Sequence, residues 1–184
     1  MREVRPAARL VTGLVVAAAC AVMLATMGRA ASLLVIALVV SYGLWLPRSE
    51  WPPVERIIAV YVAAVLVQCA HLVEEYQAGF YRVFPPVFGA DPWSARQFLV
   101  FNLIWLTVFA VAGVGLTRRK RAAYLVAMFL ALGGGVGNGL GHLALSARES
   151  GYFPGAYTGA VALLVGSTLA YRLLRSSPPV VPAI

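Results

Sequence analysis

Residues 55–78 read ERIIAVYVAAVLVQCAHLVEEYQA. Its first two-thirds is continuous apolar sequence. Its last third, HLVEEY at residues 71–76, places an imidazole and two adjacent carboxylates inside the run. As a helix rising 1.5 Å per residue, such a stretch reaches about 36 Å and spans the roughly 30 Å of bilayer hydrocarbon. His71 then lies about 24 Å from its start. His71, Glu74 and Glu75 are spaced i, i+3, i+4 and share one side of the helix, with Gln68 one turn earlier on the same stripe.

The rest of the chain has the composition of a membrane protein. Of 184 residues, 61% are hydrophobic and 12% charged, against about 25% charged in soluble domains. Residues 10–46 carry one charge, Arg29. As a single helix they would reach about 55 Å, so the run must double back near Gly28-Arg29. The same reasoning along the chain predicts an all-α, polytopic bundle of six transmembrane helices at about 8–27, 31–46, 55–78, 97–116, 122–147 and 156–174. These form a single domain over 1–175, and the proline-rich tail 176–184 is expected to be disordered. The run after Arg2, Arg5 and Arg9 exceeds the length of a signal-peptide core and is read as a retained first helix. Residues 79–96, rich in proline and aromatics, read as a connector with an interfacial part.

The net charge of +8 does not point to nucleic acid, because the basic residues lie between apolar runs and form no patch with interleaved aromatics. Six passes put Arg2, Arg5, Arg9, Arg48, Arg56, Arg118, Arg119, Lys120, Arg121, Arg172 and Arg175 on one side. Arg29, Arg82, Arg96 and Arg148 fall on the other. Positive charge marks the cytoplasmic side, so both termini are expected in the cytoplasm.

With that topology three helices bring polar side chains to one depth in the outer half of the membrane. The third carries Gln68, His71, Glu74 and Glu75, the fifth Asn138 and His142, and the fourth Gln97 and Asn102. Ionisable groups in lipid are costly unless they face the bundle interior and find partners. Hydrogen-bonding between helices is the structural alternative. Two histidines with one or two carboxylates are a reasonable ligand set for Zn²⁺, Fe²⁺ or Mn²⁺, drawn from His71, Glu74, Glu75 and His142. Asn138, Gln68 and Asn102 would orient ligands or substrate. Without metal, Glu74 or Glu75 would serve as general acid and His71 or His142 as base. The spacing is not that of the HExxH zinc helix.

GGGVGNGLGH, residues 133–142, lacks the ending and the preceding strand of a phosphate loop. Gly133, Gly137 and Gly141 recur every four residues, as in close helix packing. In YFPG, residues 152–155, Pro-Gly favours a type II turn with positive φ at Gly155. Tyr152 could donate a hydrogen bond to the site.

His71-Leu-Val-Glu74-Glu75, Asn138-Gly-Leu-Gly-His142 and Tyr152-Phe-Pro154-Gly155 together resemble the HXXEE domain family of bacterial integral membrane proteins, over roughly residues 60–175. The resemblance implies that these residues form one unit in a bacterial cell membrane, and supplies no reaction. The expected function is a small membrane enzyme with a metal-binding His/Glu site, acting on a lipid-like substrate by hydrolysis or proton transfer. The alternatives are a proton or metal-ion transporter or channel, and a purely structural subunit. The apolar inner halves of helices three and five, with no inverted repeat, favour a one-sided site over a transport path.

Overall fold

The protein is described by a computed structural model covering residues 6–175; Arg2, Arg5 and the tail 176–184 lie outside the described residues. The described chain is helical: α1 Pro6–Met27, α2 Ser32–Trp45, α3 Val54–Gln77, α4 Phe80–Val87, α5 Ala95–Thr117, α6 Arg121–Phe129, α7 Asn138–Arg148 and α8 Ala156–Leu174. Among the described residues five helical stretches are long and apolar enough to cross a membrane: Pro6–Trp45, Val54–Gln77, Ala95–Thr117, Arg121–Arg148 and Ala156–Leu174.

The first stretch, 40 residues long, doubles back. Gly28, at φ +56°, opens a short 3₁₀ turn over Gly28–Ala31. The Tyr42 hydroxyl, late in α2, then donates to the Arg9 carbonyl, early in α1, at 3.0 Å. At 14 residues α2 rises only about 21 Å, short of the hydrocarbon thickness, so this pair is two antiparallel helices of unequal reach.

Arg121–Arg148 is the axis of the bundle. In its most apolar window 61% of residues are buried, against 17–33% in the other stretches. Its middle, Leu130–Gly137, is a π-helix. Such wide turns are rare and delay the rotation of the helix that follows, here the face of α7 carrying Asn138 and His142. The glycines act in a different register from the four-residue repeat in the sequence. Gly135 and Gly139 meet α8: a Cβ on Gly135 would come within 2.5 Å of the Gly166 Cα, and one on Gly139 would collide with the Gly159 carbonyl. Gly133 and Gly141 instead face α2, toward Ala37 and Leu33. Gly135 and Gly139 are also four residues apart, so the four-residue spacing fits either stripe and only the position of α8 selects the tighter contact.

Residues 79–96 also contain more structure than a connector. Gly79, at φ +75°, ends α3 and starts α4. Pro85 and Pro86 fall in the last turn of α4, and its Phe80, Tyr81 and Pro85 are buried. Gln97 is not in the polar layer. Its side chain accepts from the Ser94 amide at 2.8 Å, while its own amide donates to the Ser94 hydroxyl at 3.2 Å, a reciprocal cap for α5.

The two ends of the bundle differ. At one, Arg48 donates to the Leu173 and Leu174 carbonyls, Arg172 to the Arg56 carbonyl, and Arg121 lies over the Trp45 ring. Tyr124 reaches the Pro52 carbonyl at the same end. The polar ends of α3 and α8 meet at the opposite one.

The α7–α8 contact is the most sensitive packing feature. Gly139→Leu is expected to destabilise the bundle by about 1–3 kcal/mol or more through overpacking. Gly141→Ala, whose added Cβ would make an ordinary 3.4 Å contact with Leu33, should be near neutral. Thermal unfolding in detergent of the two variants, side by side, checks this.

Candidate metal centre

Three buried side chains converge between α3 and α7. His71 is 0%, His142 3% and Glu75 5% exposed. The Glu75 Oε1 lies 3.3 Å from His71 Nε2 and 3.2 Å from His142 Nε2. The imidazoles stand edge to face, with centroids 4.7 Å apart. One donor atom from each of the three lies within 4.8 Å of the others, so the group could hold a metal ion. Four tetrahedral ligands at 2.0–2.1 Å from Zn²⁺ sit about 3.3 Å from one another, which the two separations from Glu75 match.

Glu74 is turned by about 100° from Glu75, as neighbours on an α-helix must be, and does something else. It lies outside the donor group and reaches the start of α8. Its carboxylate accepts from the Tyr157 amide at 3.2 Å, the Thr158 amide at 2.8 Å, the Tyr152 hydroxyl at 2.8 Å, and the Thr158 hydroxyl. An ionised carboxylate has about four acceptor sites, and all are used. Gly155, at the N-cap of α8, has no side chain to cap the first turn. Glu74 supplies that cap from another helix, where a negative charge is also favoured by the helix dipole. Partial burial and the bond to Glu74 hold the Tyr152 hydroxyl above the usual tyrosine range, so it stays a donor at neutral pH.

The other predicted residues divide. Asn138 is at the centre, its amide 2.7 Å from His71 Nε2. Gln68, one turn down, faces Gly134 in a small crevice with Ala64 and Leu130. Among the described residues no hydrogen bond joins it to the donors. Asn102 is elsewhere: its amide donates to the Phe98 carbonyl of its own helix at 3.0 Å. A half-buried asparagine can satisfy itself one turn back, so polar character on α5 does not imply a place in the site. What α5 contributes is Phe98, 1% exposed. It packs with Phe80 of α4, which covers His142 with a ring-centroid distance of 5.2 Å.

Sequence reasoning passed over Thr158. Its hydroxyl is 2.7 Å from His71 Nδ1. It lies on the first turn of α8, three residues after Gly155. Gly155 itself does more than turn. At φ +90°, with the Ala156 amide donating to the Phe153 carbonyl at 3.0 Å, it completes a type II turn. A Cβ there would come within 2.5 Å of His142 Cε1 and 2.9 Å of His71 Cε1. His142 Nδ1, buried and without a partner among the described residues, faces the same glycine.

Beside His142 and Asn138 opens a cleft of about 210 Å³. Phe80, Phe84 and Phe88 line one wall, Gly133, Gly137 and Gly141 another, and Ala30 and Leu33 of the first hairpin a third. It is an apolar slot that ends on two polar groups.

Gly155→Ala is expected to cost about 1–2 kcal/mol from backbone strain alone, and to displace His142 as well. In metal-binding titrations it should weaken affinity more than in thermal unfolding it lowers stability, relative to a glycine change remote from the histidines.

Residues 61–170 match a family described as "Protein of unknown function with HXXEE motif". No curated protein and no solved structure matches the chain. With His71, Glu74 and Glu75 in the motif positions and more than half the sequence matched, the chain belongs to the HXXEE family.

Proposed function

We propose that this protein is an integral membrane enzyme of the bacterial cell membrane that holds a divalent transition metal (Zn²⁺, Fe²⁺ or Mn²⁺) at His71, Glu75 and His142 and acts on a lipid-like substrate. The observation that carries the metal reading is the approach of Glu75 Oε1 to His71 Nε2 at 3.3 Å and to His142 Nε2 at 3.2 Å in a buried site whose three donors lie within 4.8 Å of one another. Three such acceptors facing one another repel unless a proton or a cation lies among them. Three protein ligands also leave a fourth position open, as in catalytic rather than structural zinc sites. When bound, the ion would activate water or polarise a substrate oxygen.

The substrate class follows from the cleft. Its walls are phenylalanine and glycine, and its polar end is His142 and Asn138, which suits an apolar chain carrying one oxygen-bearing group. Phe80 and Phe153, packed on His142 with centroids 5.2 and 6.2 Å away, keep water from the centre. Asn138 would orient the reacting oxygen or hold His71. The basic end of the bundle fits a cytoplasmic face, which would place the centre toward the outer leaflet. Transport of protons or metal ions is the competing reading, and it needs a polar path onward. Toward the basic end, however, the buried residues of α3 are Ala64, Tyr61 and Ile57, and the Tyr61 hydroxyl is already committed to the Phe109 carbonyl.

Elemental mass spectrometry of detergent-purified protein should find roughly one transition metal per chain, as for a single three-ligand site, lost in His71→Ala, His142→Ala and Glu75→Gln variants that remain folded. No metal after resupply would defeat the metal reading. For the activity, metal-loaded protein in vesicles made from a bacterial lipid extract should convert a lipid, with the loss tracked by mass spectrometry and absent in Glu75→Gln. Vesicles that instead take up protons or metal, with their lipids unchanged, would decide for transport.

A further inference from the structure

The two glutamates of the motif do not share one task. Glu74 is saturated by four donors, and one of them is the Thr158 hydroxyl. A hydroxyl has a single proton. With that proton committed to an acceptor-only carboxylate, the Thr158 oxygen can only accept from His71 Nδ1, 2.7 Å away. The ring proton of neutral His71 must then sit on Nδ1, leaving the Nε2 lone pair pointed at Glu75 and Asn138. The Asn138 amide, free to turn either end toward the ring, presents its NH₂ group to that lone pair at 2.7 Å and has to give way when an ion takes its place.

We propose that Thr158, anchored by Glu74, is a positioning residue that sets the tautomer of His71 and so makes Nε2 a ligand. The consequence for metal affinity rests on the metal reading given above; the tautomer does not. The chain carboxylate–hydroxyl–imidazole is the arrangement by which outer partners fix a ligating histidine, with a threonine inserted between carboxylate and ring. His142 has no such support, since among the described residues its Nδ1 faces Gly155 with no partner. The two histidines are therefore unequal: His71 is held in one tautomer, while His142 is free to donate its Nε2–H to Glu75 until an ion replaces that proton. Tyr152 extends the chain to the surface, being 47% exposed and bonded to the same Glu74 oxygen as the Tyr157 amide.

The chain contains two histidines, so ¹⁵N labelling of histidine in full-length, metal-free protein gives two ring systems. His142→Asn leaves His71 alone for assignment. At a pH where the spectra themselves show both rings neutral, wild type and Thr158→Ser should show His71 protonated on Nδ1. Thr158→Val, equal in shape but unable to accept, should move the proton to Nε2. A wild-type ring carrying its proton on Nε2, or a Thr158→Val spectrum identical to wild type, would overturn the assignment. Zn²⁺ titration supplies the second arm. Thr158→Val should lose roughly ten- to a hundredfold in affinity, and Thr158→Ser should recover most of it. Equal affinity in all three would overturn the positioning role. Should wild type bind no metal at all, the metal reading fails, and the ring spectra still decide the tautomer.

Discussion

The carboxylate of Glu75, closed between two imidazoles in the interior of an apolar bundle, is the constraint around which the other elements are arranged. An unpaired charge at such a place costs several kcal/mol. Its removal from water has to be matched by groups held at hydrogen-bonding distance. His71 is one helical turn away on the same helix and comes with the fold of α3. His142 does not. It is brought in by α7, whose approach depends on glycines at 135 and 139 lying against Gly166 and Gly159 of α8. The close contact between α7 and α8 and the composition of the centre are thus one requirement met in two places.

Adjacent carboxylates in a helix do not face the same neighbour. The 100° between them sends Glu75 to the histidines and Glu74 to the open end of α8. There Glu74 caps a turn that begins with a glycine, and Glu74 in turn fixes Thr158 beside His71. A motif written as His-x-x-Glu-Glu therefore encodes three relations. One is a donor pair within a helix, the second a cap on a neighbouring helix, and the third a route back from that cap to the first histidine. The turn at Gly155 closes the loop, because its missing side chain leaves room for both rings.

The helical, membrane-spanning character of the chain was legible in its apolar runs. The grouping of His71 with a glutamate at i+4 follows from helical geometry alone. Period and spacing stop short of rotation. They leave Glu74 and Glu75 equivalent, because only the neighbours of α3 decide which of them faces inward. They favour Gly133, Gly137 and Gly141 as the packing stripe, although Gly135 and Gly139 are equally four apart and only the placement of α8 selects them. They enlist Asn102, whose own i−4 carbonyl satisfies it. Thr158 was illegible for a related reason. A threonine in an apolar helix carries no signal until a partner from a distant helix is known to lie opposite.

The cap that Glu74 places on α8 also bears on how the protein is made. The chain emerges from the ribosome with α3 well ahead of α8, some eighty residues apart. Through that interval Glu74 and Glu75 are inside a nascent membrane protein with neither the amides nor the hydroxyl that will pair with Glu74. Until α8 inserts and packs, α3 carries charges its surroundings do not satisfy, and the end of it that holds the motif has reason to stay near water. Packing of the last described helix and satisfaction of Glu74 are then a single event in biogenesis, because both Thr158 groups and the Tyr157 amide arrive with α8.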